Sequence, residues 1–307
     1  MAQIVISEFM DAPVVDTLFA GRDVLFDDTL VDRPEALFAA LADAEALLVR
    51  NRTQVNAALL AHAPRLKVVG RLGVGLDNID LAACRARGVA VCPAAGANDL
   101  AVAEYVIAMA LVLLRGAYLA SERVAAGAWP RMALIGREAA GKTLGLIGYG
   151  AIARLTSQKA KALGLAVAAY DPLLDANAPA WRDVARCETL EALLAQADVV
   201  SLHVPLTAVT RGMIGAEALK RMKPGAVLIN AARGGVVDEA ALAEALKAGR
   251  LGGAALDVFE TEPLTAQAGA RFAGVPNLIL TPHIAGVSDE SNVRVSEVTA
   301  RNVLAHL

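Results

Sequence analysis

The chain reads as an α/β protein built from two parallel-sheet domains, one inserted into the other. Three observations predict this. Short aliphatic runs alternate with Ala- and Leu-rich helical stretches almost from end to end, a pattern that buries parallel sheets under helices on both faces. The 307 residues are more than one ordinary α/β layer unit needs and suit two compact domains. Two crossings, at residues 93–98 and 281–287, are candidate hinges. If both are hinges, the first and last parts of the chain belong together and the middle is an insert, giving 1–98 with 284–307 as one domain and 99–283 as the other.

Taken in order, the strands are expected at 4–6, 46–49, 66–70, 89–92, 143–147, 166–170, 199–203, 226–229, 253–256 and 278–280. Helical patterns lie between them, for example at 34–43, 78–87 and 238–248. Residues 99–127 read as one long helix, apolar on nearly every side, with Glu104, Arg115, Ser121, Glu122 and Arg123 as its few polar positions. Such a helix must be buried on more than one side. A neighbouring domain or a second subunit would each serve, and a homodimer contact is the favoured expectation.

Composition excludes several classes. Hydrophobic residues make up 56% and charged residues 20%, enough apolar material for two cores and too little charge for a disordered chain. The formal net charge is −3, with no basic stripe of the kind a nucleic-acid binder carries. The longest apolar stretch, between Glu104 and Arg115, is about half of what a bilayer span requires. Cys84, Cys92 and Cys187 have no CxxC spacing, so neither a disulfide framework nor a metal site is expected. With no basic, cleavage-like leader at the N-terminus, the expectation is a cytoplasmic protein.

The strongest local motif is Gly148-Tyr149-Gly150-Ala151-Ile152-Ala153, a GxGxxA turn between the strand 143–147 and a helix running to Leu163. Gly148 permits the tight turn, Gly150 lets a pyrophosphate approach the backbone, and Ala153 keeps the helix close to the strand. The N–H groups at the helix start, over Ala151 and Ile152, face the phosphates. A second strand ends at Asp171, 21 residues after Gly150, where an acid would hold the adenine ribose hydroxyls and repel a 2′-phosphate. NAD is therefore the expected cofactor. The plainer reading makes Asp171 a strand-end cap before Pro172.

Three further polar residues follow predicted strands at their carboxyl ends, the edge where ligands bind in open α/β sheets. They are Arg233, Glu262 and His283. Hydride transfer to a 2-oxo acid needs a cation to hold the carboxylate and an acid to protonate the oxygen. Guanidinium matches the first task in shape. Histidine, which titrates near physiological pH, suits the second. A carboxylate beside the histidine would orient it, and Glu262 is the candidate. Read singly, Arg233 fits a surface charge, Glu262 a solvated loop acid and His283 a satisfied loop histidine. His203 ends a strand before Pro205 and is expected to line the cofactor cleft without doing chemistry, while His62 and His306 read as surface residues.

In combination the motifs resemble the D-isomer-specific 2-hydroxy acid dehydrogenases, most of all the D-3-phosphoglycerate dehydrogenase and hydroxypyruvate reductase branch. The resemblance runs from about Leu47 to the C-terminus. It rests on Gly70-Arg71-Leu72-Gly73-Val74-Gly75-Leu76-Asp77-Asn78-Ile79-Asp80, Asn98 with Ala103-Glu104, Trp129, the GxGxxA turn, His203-Val204-Pro205-Leu206-Thr207 and the three segments above. It implies a Rossmann cofactor domain inserted into a flavodoxin-like substrate domain, and a dimer formed through the cofactor domains. It implies that Arg233, Glu262 and His283 bind substrate and relay the proton. Asp257 would lie near the nicotinamide amide, and Val204, Pro205, Ala231 and Gly286 would join the cofactor contacts. Backbone N–H groups of Val74 and Gly75 would receive the substrate carboxylate. Ala153 departs from the usual third glycine. The position of Glu262 is Gln in formate dehydrogenase relatives, which argues against formate.

Arg50, Arg52 and Arg71 lie in or just after predicted strands of the substrate domain. They are candidates to hold a second anionic group, as in phosphoglycerate or sulfolactate, and would otherwise be surface ion-pair partners. Hydroxypyruvate or glyoxylate reduction is the alternative activity. An NAD-sensing binding protein is the alternative of another class, though a sensor need not keep the whole Arg, Glu and His set.

Overall fold

The computed structural model describes residues 3–307, leaving aside the side chain of Leu119. The chain divides into two compact units, one formed by the residues up to Asn98 with Val287–Leu307, the other by Asp99–Gly286. The second unit runs three residues past the expected boundary at 283, because the loop after its last strand stays bonded to that unit: Asp257 accepts from Ile284 N at 2.9 Å and Ala285 N at 2.8 Å.

In the first unit the strands are β1 (Ile4–Ile6), β2 (Val24–Phe26), β3 (Ala46–Val49), β4 (Val68–Arg71) and β5 (Ala90–Pro93). They pair in parallel in the order β2-β1-β3-β4-β5, a flavodoxin-like winding. Alternate side chains sort to opposite faces, as the pleat requires. Val5, Leu47, Val49 and Val69 join Leu37, Leu41, Leu59 and Leu60 on one face. Ile4, Ile6, Ala46, Leu48 and Val68 meet Met10, Val14, Phe19, Val295 and Val303 on the other. The helix Asp289–Leu304 is the last element of this unit and starts with a capping box in which Ser288 and Ser291 satisfy each other's backbone N–H groups.

In the second unit the strands are β6 (Thr143–Ile147), β7 (Ala166–Tyr170), β8 (Ala185–Arg186), β9 (Val199–Leu202), β10 (Val227–Asn230), β11 (Gly253–Leu256) and β12 (Leu278–Leu280). Their order is β12-β11-β10-β9-β6-β7-β8, again all parallel, the doubly wound arrangement of a Rossmann sheet. Leu144, Leu146, Val199, Val227 and Ile229 bury one face against the helices Asp99–Arg115 and Ala151–Ala162. Ile147, Val200, Leu202, Leu228 and Leu256 bury the other. Each of these aliphatic side chains, removed from water, stabilises by about 1.5–3 kcal/mol, and this sets the sheet rather than strand propensity.

The single helix expected over 99–127 does not form. It stops at Arg115, and Gly116, at φ 67°, turns the backbone into the left-handed region that glycine enters at little cost. A 3-10 turn (Ala117–Ala120) and a short helix (Ser121–Ala125) follow. The helix buries one stripe, Val102, Ala103, Val106, Ala110, Leu113 and Leu114, at the spacing of a one-sided amphipathic helix. Leu100, Leu111, Tyr118, Val124, Trp129, Met132 and Ile135 remain exposed. Among the described residues no helix is long and apolar enough to cross a membrane.

Candidate active site

Because every strand of the second sheet runs the same way, the segments that leave their carboxyl ends come out along one edge. Strand order then sets them in a row: His283 after β12, Asp257 and Glu262 after β11, Ala231 and Arg233 after β10, His203 and Val204 after β9, Gly148 after β6 and Asp171 after β7. The winding reverses between β9 and β6, which places the glycine turn at the switch point of the sheet.

The turn is built as a dinucleotide needs it. Gly148 sits at φ 84°, and a Cβ there would lie 2.4 Å from the His203 carbonyl oxygen and 3.0 Å from Val204 Cγ1, so glycine is required twice over. At Gly150 an added Cβ would meet no protein atom within 4 Å. The fold has no packing need for glycine there, whereas a pyrophosphate lying on the backbone does. Gly150 is also the N-cap of the helix Ala151–Ala162 and has no side chain to satisfy the first-turn N–H groups of Ala151 and Ile152. Ala153 is fully buried. Asp171 accepts from Tyr149 N at 2.9 Å and Leu173 N at 3.0 Å, so it does cap the turn. A carboxylate has about four lone-pair sites, so capacity for ribose hydroxyls remains. These residues fit NAD. Pro205 is exposed beside partly buried Val204, and Ala231 and Gly286 are partly buried.

His203 is partly buried, and its Nε2 meets the hydroxyl of buried Ser201 at 3.0 Å. Desolvation pushes this imidazole down to about 4, so it is neutral at physiological pH. Its backbone carbonyl oxygen is the atom that a Cβ at Gly148 would strike.

At the other end of the row Glu262 and His283 meet, with Oε2 and Nδ1 2.7 Å apart. The second oxygen of Glu262 accepts from Phe259 N at 3.0 Å. Burial opposes ionisation of Glu262, but the hydrogen bonds from His283 and Phe259 and the charges of His283 and Arg233 outweigh it and hold the carboxyl below the usual range. The turn at Arg233 is shaped by buried Asn230, which donates to Arg233 O at 2.9 Å and accepts from Ala232 N at 3.1 Å. Arg233 Nη1 donates to Ala232 O at 2.6 Å.

His283 adopts φ 56°, unusual for any residue but glycine, asparagine or aspartate. Asp257, 1% exposed, holds it there. Its carboxylate accepts from Thr281 Oγ1 at 2.6 Å, Ile284 N at 2.9 Å and Ala285 N at 2.8 Å, while its carbonyl accepts from His283 N at 2.8 Å. Thr281 is bonded in turn to Tyr105 Oη at 2.7 Å. The family resemblance implies a place for Asp257 near the nicotinamide amide; in the structure its carboxylate closes the histidine's own loop. Tyr105 and Asn230 went unnoticed, since nothing in their sequence surroundings separates them from core residues.

The first unit holds the remaining candidates, and they do not form one cluster. Arg71 folds back on its own loop, donating to Gly75 O at 2.8 Å and Leu72 O at 2.7 Å, and so shapes the turn at Val74 and Gly75. Val74 is exposed and Gly75 partly buried. Arg52 is exposed and ion-paired with Asp32. Arg50 differs from both. Its guanidinium lies 5.1 Å from the Phe9 ring centre and donates to Asn292 Oδ1 at 2.7 Å, while its buried Nε has no partner. Burial lowers its pKa, countered by the charge of Glu8.

A dinucleotide turn and a strand-end Arg, Glu and His along one sheet edge define an NAD-dependent oxidoreductase. The profile of the D-isomer specific 2-hydroxyacid dehydrogenase NAD binding domain matches residues 107–285. The chain is 55% identical to the (S)-sulfolactate dehydrogenase of Chromohalobacter salexigens over 303 residues, 99% of this chain and 97% of that protein. It is 42% identical to D-3-phosphoglycerate dehydrogenase of Mycobacterium tuberculosis over 275 residues, 89% of this chain but 51% of that protein, so it spans about half the length of that relative. Among solved structures, D-lactate dehydrogenase from Aquifex aeolicus, complexed with NAD and lactic acid, superposes with a TM-score of 0.85 at 31% identity, covering 98% of this chain and 94% of that one. The chain belongs to the D-isomer specific 2-hydroxyacid dehydrogenase family.

Proposed function

We propose that the chain interconverts a short 2-oxo acid and its D-2-hydroxy acid, and that the acid carries a second anionic group on its third carbon, a sulfonate first and a phosphate ester second. The observation that carries the chemistry is the 2.7 Å contact between Glu262 and His283 Nδ1. It orients the ring and leaves Nε2 as the atom that delivers or takes the proton. NAD, when bound, supplies or accepts the hydride at the substrate's second carbon. Arg233 holds the carboxylate and polarises the adjoining carbonyl. His283 gives its proton to the carbonyl oxygen during reduction and recovers it from the hydroxyl during oxidation, while the Glu262 carboxylate holds the ring by its Nδ1.

The sulfonate preference rests on the (S)-sulfolactate dehydrogenase relative and on Arg50. Sulfur outranks oxygen in the priority rules, so (S)-sulfolactate has the spatial arrangement of the D-2-hydroxy acids despite its label. Arg50, held by Asn292 and Phe9, presents a fixed cation suited to a distal anion, whereas Arg52 and Arg71 are engaged elsewhere. We assign a homodimer to the exposed apolar segment after Gly116, where Trp129 is 82% and Met132 77% exposed. The free thiols of Cys84, Cys92 and Cys187 suit a reducing, cytoplasmic setting.

The test follows NADH consumption by wild type, His283→Asn and Arg50→Ala with sulfopyruvate, 3-phosphohydroxypyruvate, hydroxypyruvate, glyoxylate and pyruvate. Sulfopyruvate should give the highest kcat/KM. His283→Asn should lose about 100-fold or more with every acid. Arg50→Ala should raise KM for the two acids that carry a second anionic group and leave glyoxylate alone. Turnover of none of these acids, with NADH still bound, refutes the proposal and favours a nucleotide sensor.

A further inference from the structure

Glu239 lies six residues after Arg233, at the first position of the helix Glu239–Lys247, and is 3% exposed. Acids are common in the first turn of a helix, but there they usually face water. This one points at the loop that carries Glu262. Its Oε1 accepts from Glu260 N at 2.6 Å, and its Oε2 meets Arg271 Nη1 at 3.2 Å. The same Arg271 nitrogen reaches Glu260 Oε2 at 3.0 Å. One guanidinium thus bridges two carboxylates, one buried and one at the surface. A buried carboxylate is expensive to retain unless it is paired and hydrogen-bonded, and an aliphatic side chain at this position would pack without that cost. The charge therefore calls for a purpose beyond packing.

The neighbouring geometry supplies one. Phe259 N, which bonds Glu262, immediately precedes Glu260 N, which bonds Glu239. Adjacent amides of one short loop are thus held by two carboxylates, one belonging to the proton-handling pair and one to the helix that follows the Arg233 turn. Gly234 packs against the same loop, closely enough that a Cβ would strike the Phe259 carbonyl. The segments after β10 and β11 are locked together at this point.

We propose that Glu239, with Arg271, is a positioning residue that fixes the 259–262 loop, and through it sets where the Glu262 carboxylate meets His283. The proposal rests on the assignment of Glu262 and His283 as the proton-handling pair. Glu239 acts on chemistry through Glu262 alone and touches neither substrate nor cofactor. The charged groups against it are Glu260, Arg271 and Asp238, and burial outweighs Arg271 in raising its pKa.

The experiment is a double-mutant cycle on the full-length enzyme, with Glu239→Ala and Glu262→Gln alone and together, reading kcat/KM across pH, NADH affinity and Tm. Glu239→Ala should lower kcat/KM by about tenfold or more, since a sub-ångström shift of a proton donor's partner is costly. It should move the acid limb of the pH profile and leave NADH affinity unchanged. Combined with Glu262→Gln it should add almost nothing, because the group it acts through is already gone. Glu239→Gln keeps an acceptor for Glu260 N and should recover much of the loss. Arg271→Ala, at a partly exposed position, should reproduce the shift in weaker form and serves if Glu239→Ala does not fold. An unshifted pH profile in the foldable variants overturns the proposal, as does an equal loss with and without Glu262. A Glu262→Gln single variant with full activity instead overturns the site assignment, a separate failure.

Discussion

Gly234→Ala adds one methyl group at the point where the Arg233 turn meets the Glu262 loop. The built Cβ would lie 1.7 Å from the Phe259 carbonyl oxygen, 2.1 Å from its carbon and 2.9 Å from Glu260 N. All three are backbone atoms, so no side-chain rotation relieves the clash. Even a tight carbon–oxygen contact would require the two segments to part by roughly 1.5 Å, still short of an optimal van der Waals separation. Glu262 is tied to this loop through Phe259 N and must move with it. Added to the present 2.7 Å, such a shift takes the Glu262–His283 contact out of hydrogen-bond range. A displacement of that size at a reacting group costs on the order of 100-fold in rate. Overpacking between rigid segments costs about 1–3 kcal/mol in stability. We therefore expect kcat/KM to fall about 100-fold, NADH binding to persist because the Gly148 turn lies two strands away, and Tm to drop measurably. Steady-state kinetics, an NADH titration and a thermal melt on the same preparation check all three. Wild-type kcat/KM with an unchanged melt would show that the two segments are not rigidly coupled, and the reasoning would fail.

Two further outcomes follow from the same geometry. Burial holds His203 near 4, below its ordinary value of about 6.5, so an unfolded chain takes up that proton first as pH falls. Stability is then intact above pH ~6.5 and declines toward pH ~4, and His203→Gln should remove about 2 kcal/mol of that decline by pH 5, read by urea unfolding at pH 5 and 7.5; an identical slope in both proteins would refute it. Asp257→Asn replaces one of two acceptor oxygens with a donor while Thr281, Ile284 and Ala285 still present hydrogens, so one bond must break. It should cost about 1–3 kcal/mol in the same unfolding assay and lower kcat, and wild-type values of both would show that the carboxylate does not hold the histidine loop.

The fold was legible wherever burial on two faces demanded continuous aliphatic runs. The expected bounds of β1, β3, β6, β7, β11 and β12 match, and those of β4, β5, β9 and β10 differ by a residue or two. β2 and β8 escaped because they are short edge strands, half-buried or exposed: β2 is a three-residue apolar run between charged residues, and β8 has no apolar run at all. The break at Gly116 escaped because an apolar sequence carries on past it, and periodicity cannot register a single left-handed residue. In the site, position was legible and contact, with one exception, was not. Arg233, Glu262 and His283 stood out as polar residues after strands. For Glu262 and His283 alone did the chemistry of a proton donor suggest a contact; that Asn292 reaches Arg50 across 242 residues of sequence depends on loop paths that local pattern does not encode. The same holds for Asp32, whose pairing turns Arg52 into a surface ion-pair partner.

The left-handed backbone at His283 has a consequence for how this position can vary. Two demands fall on one residue: an imidazole for proton transfer and a conformation that Cβ-branched side chains resist. Drift away from catalysis would therefore not open the position to any amino acid. Asparagine and glycine could replace the histidine with the loop intact, whereas valine, isoleucine or threonine would strain the chain whether or not the enzyme still turned over. A histidine kept among divergent relatives would thus record backbone shape as well as chemistry. An asparagine there would mark a protein that has given up the reaction while keeping the fold.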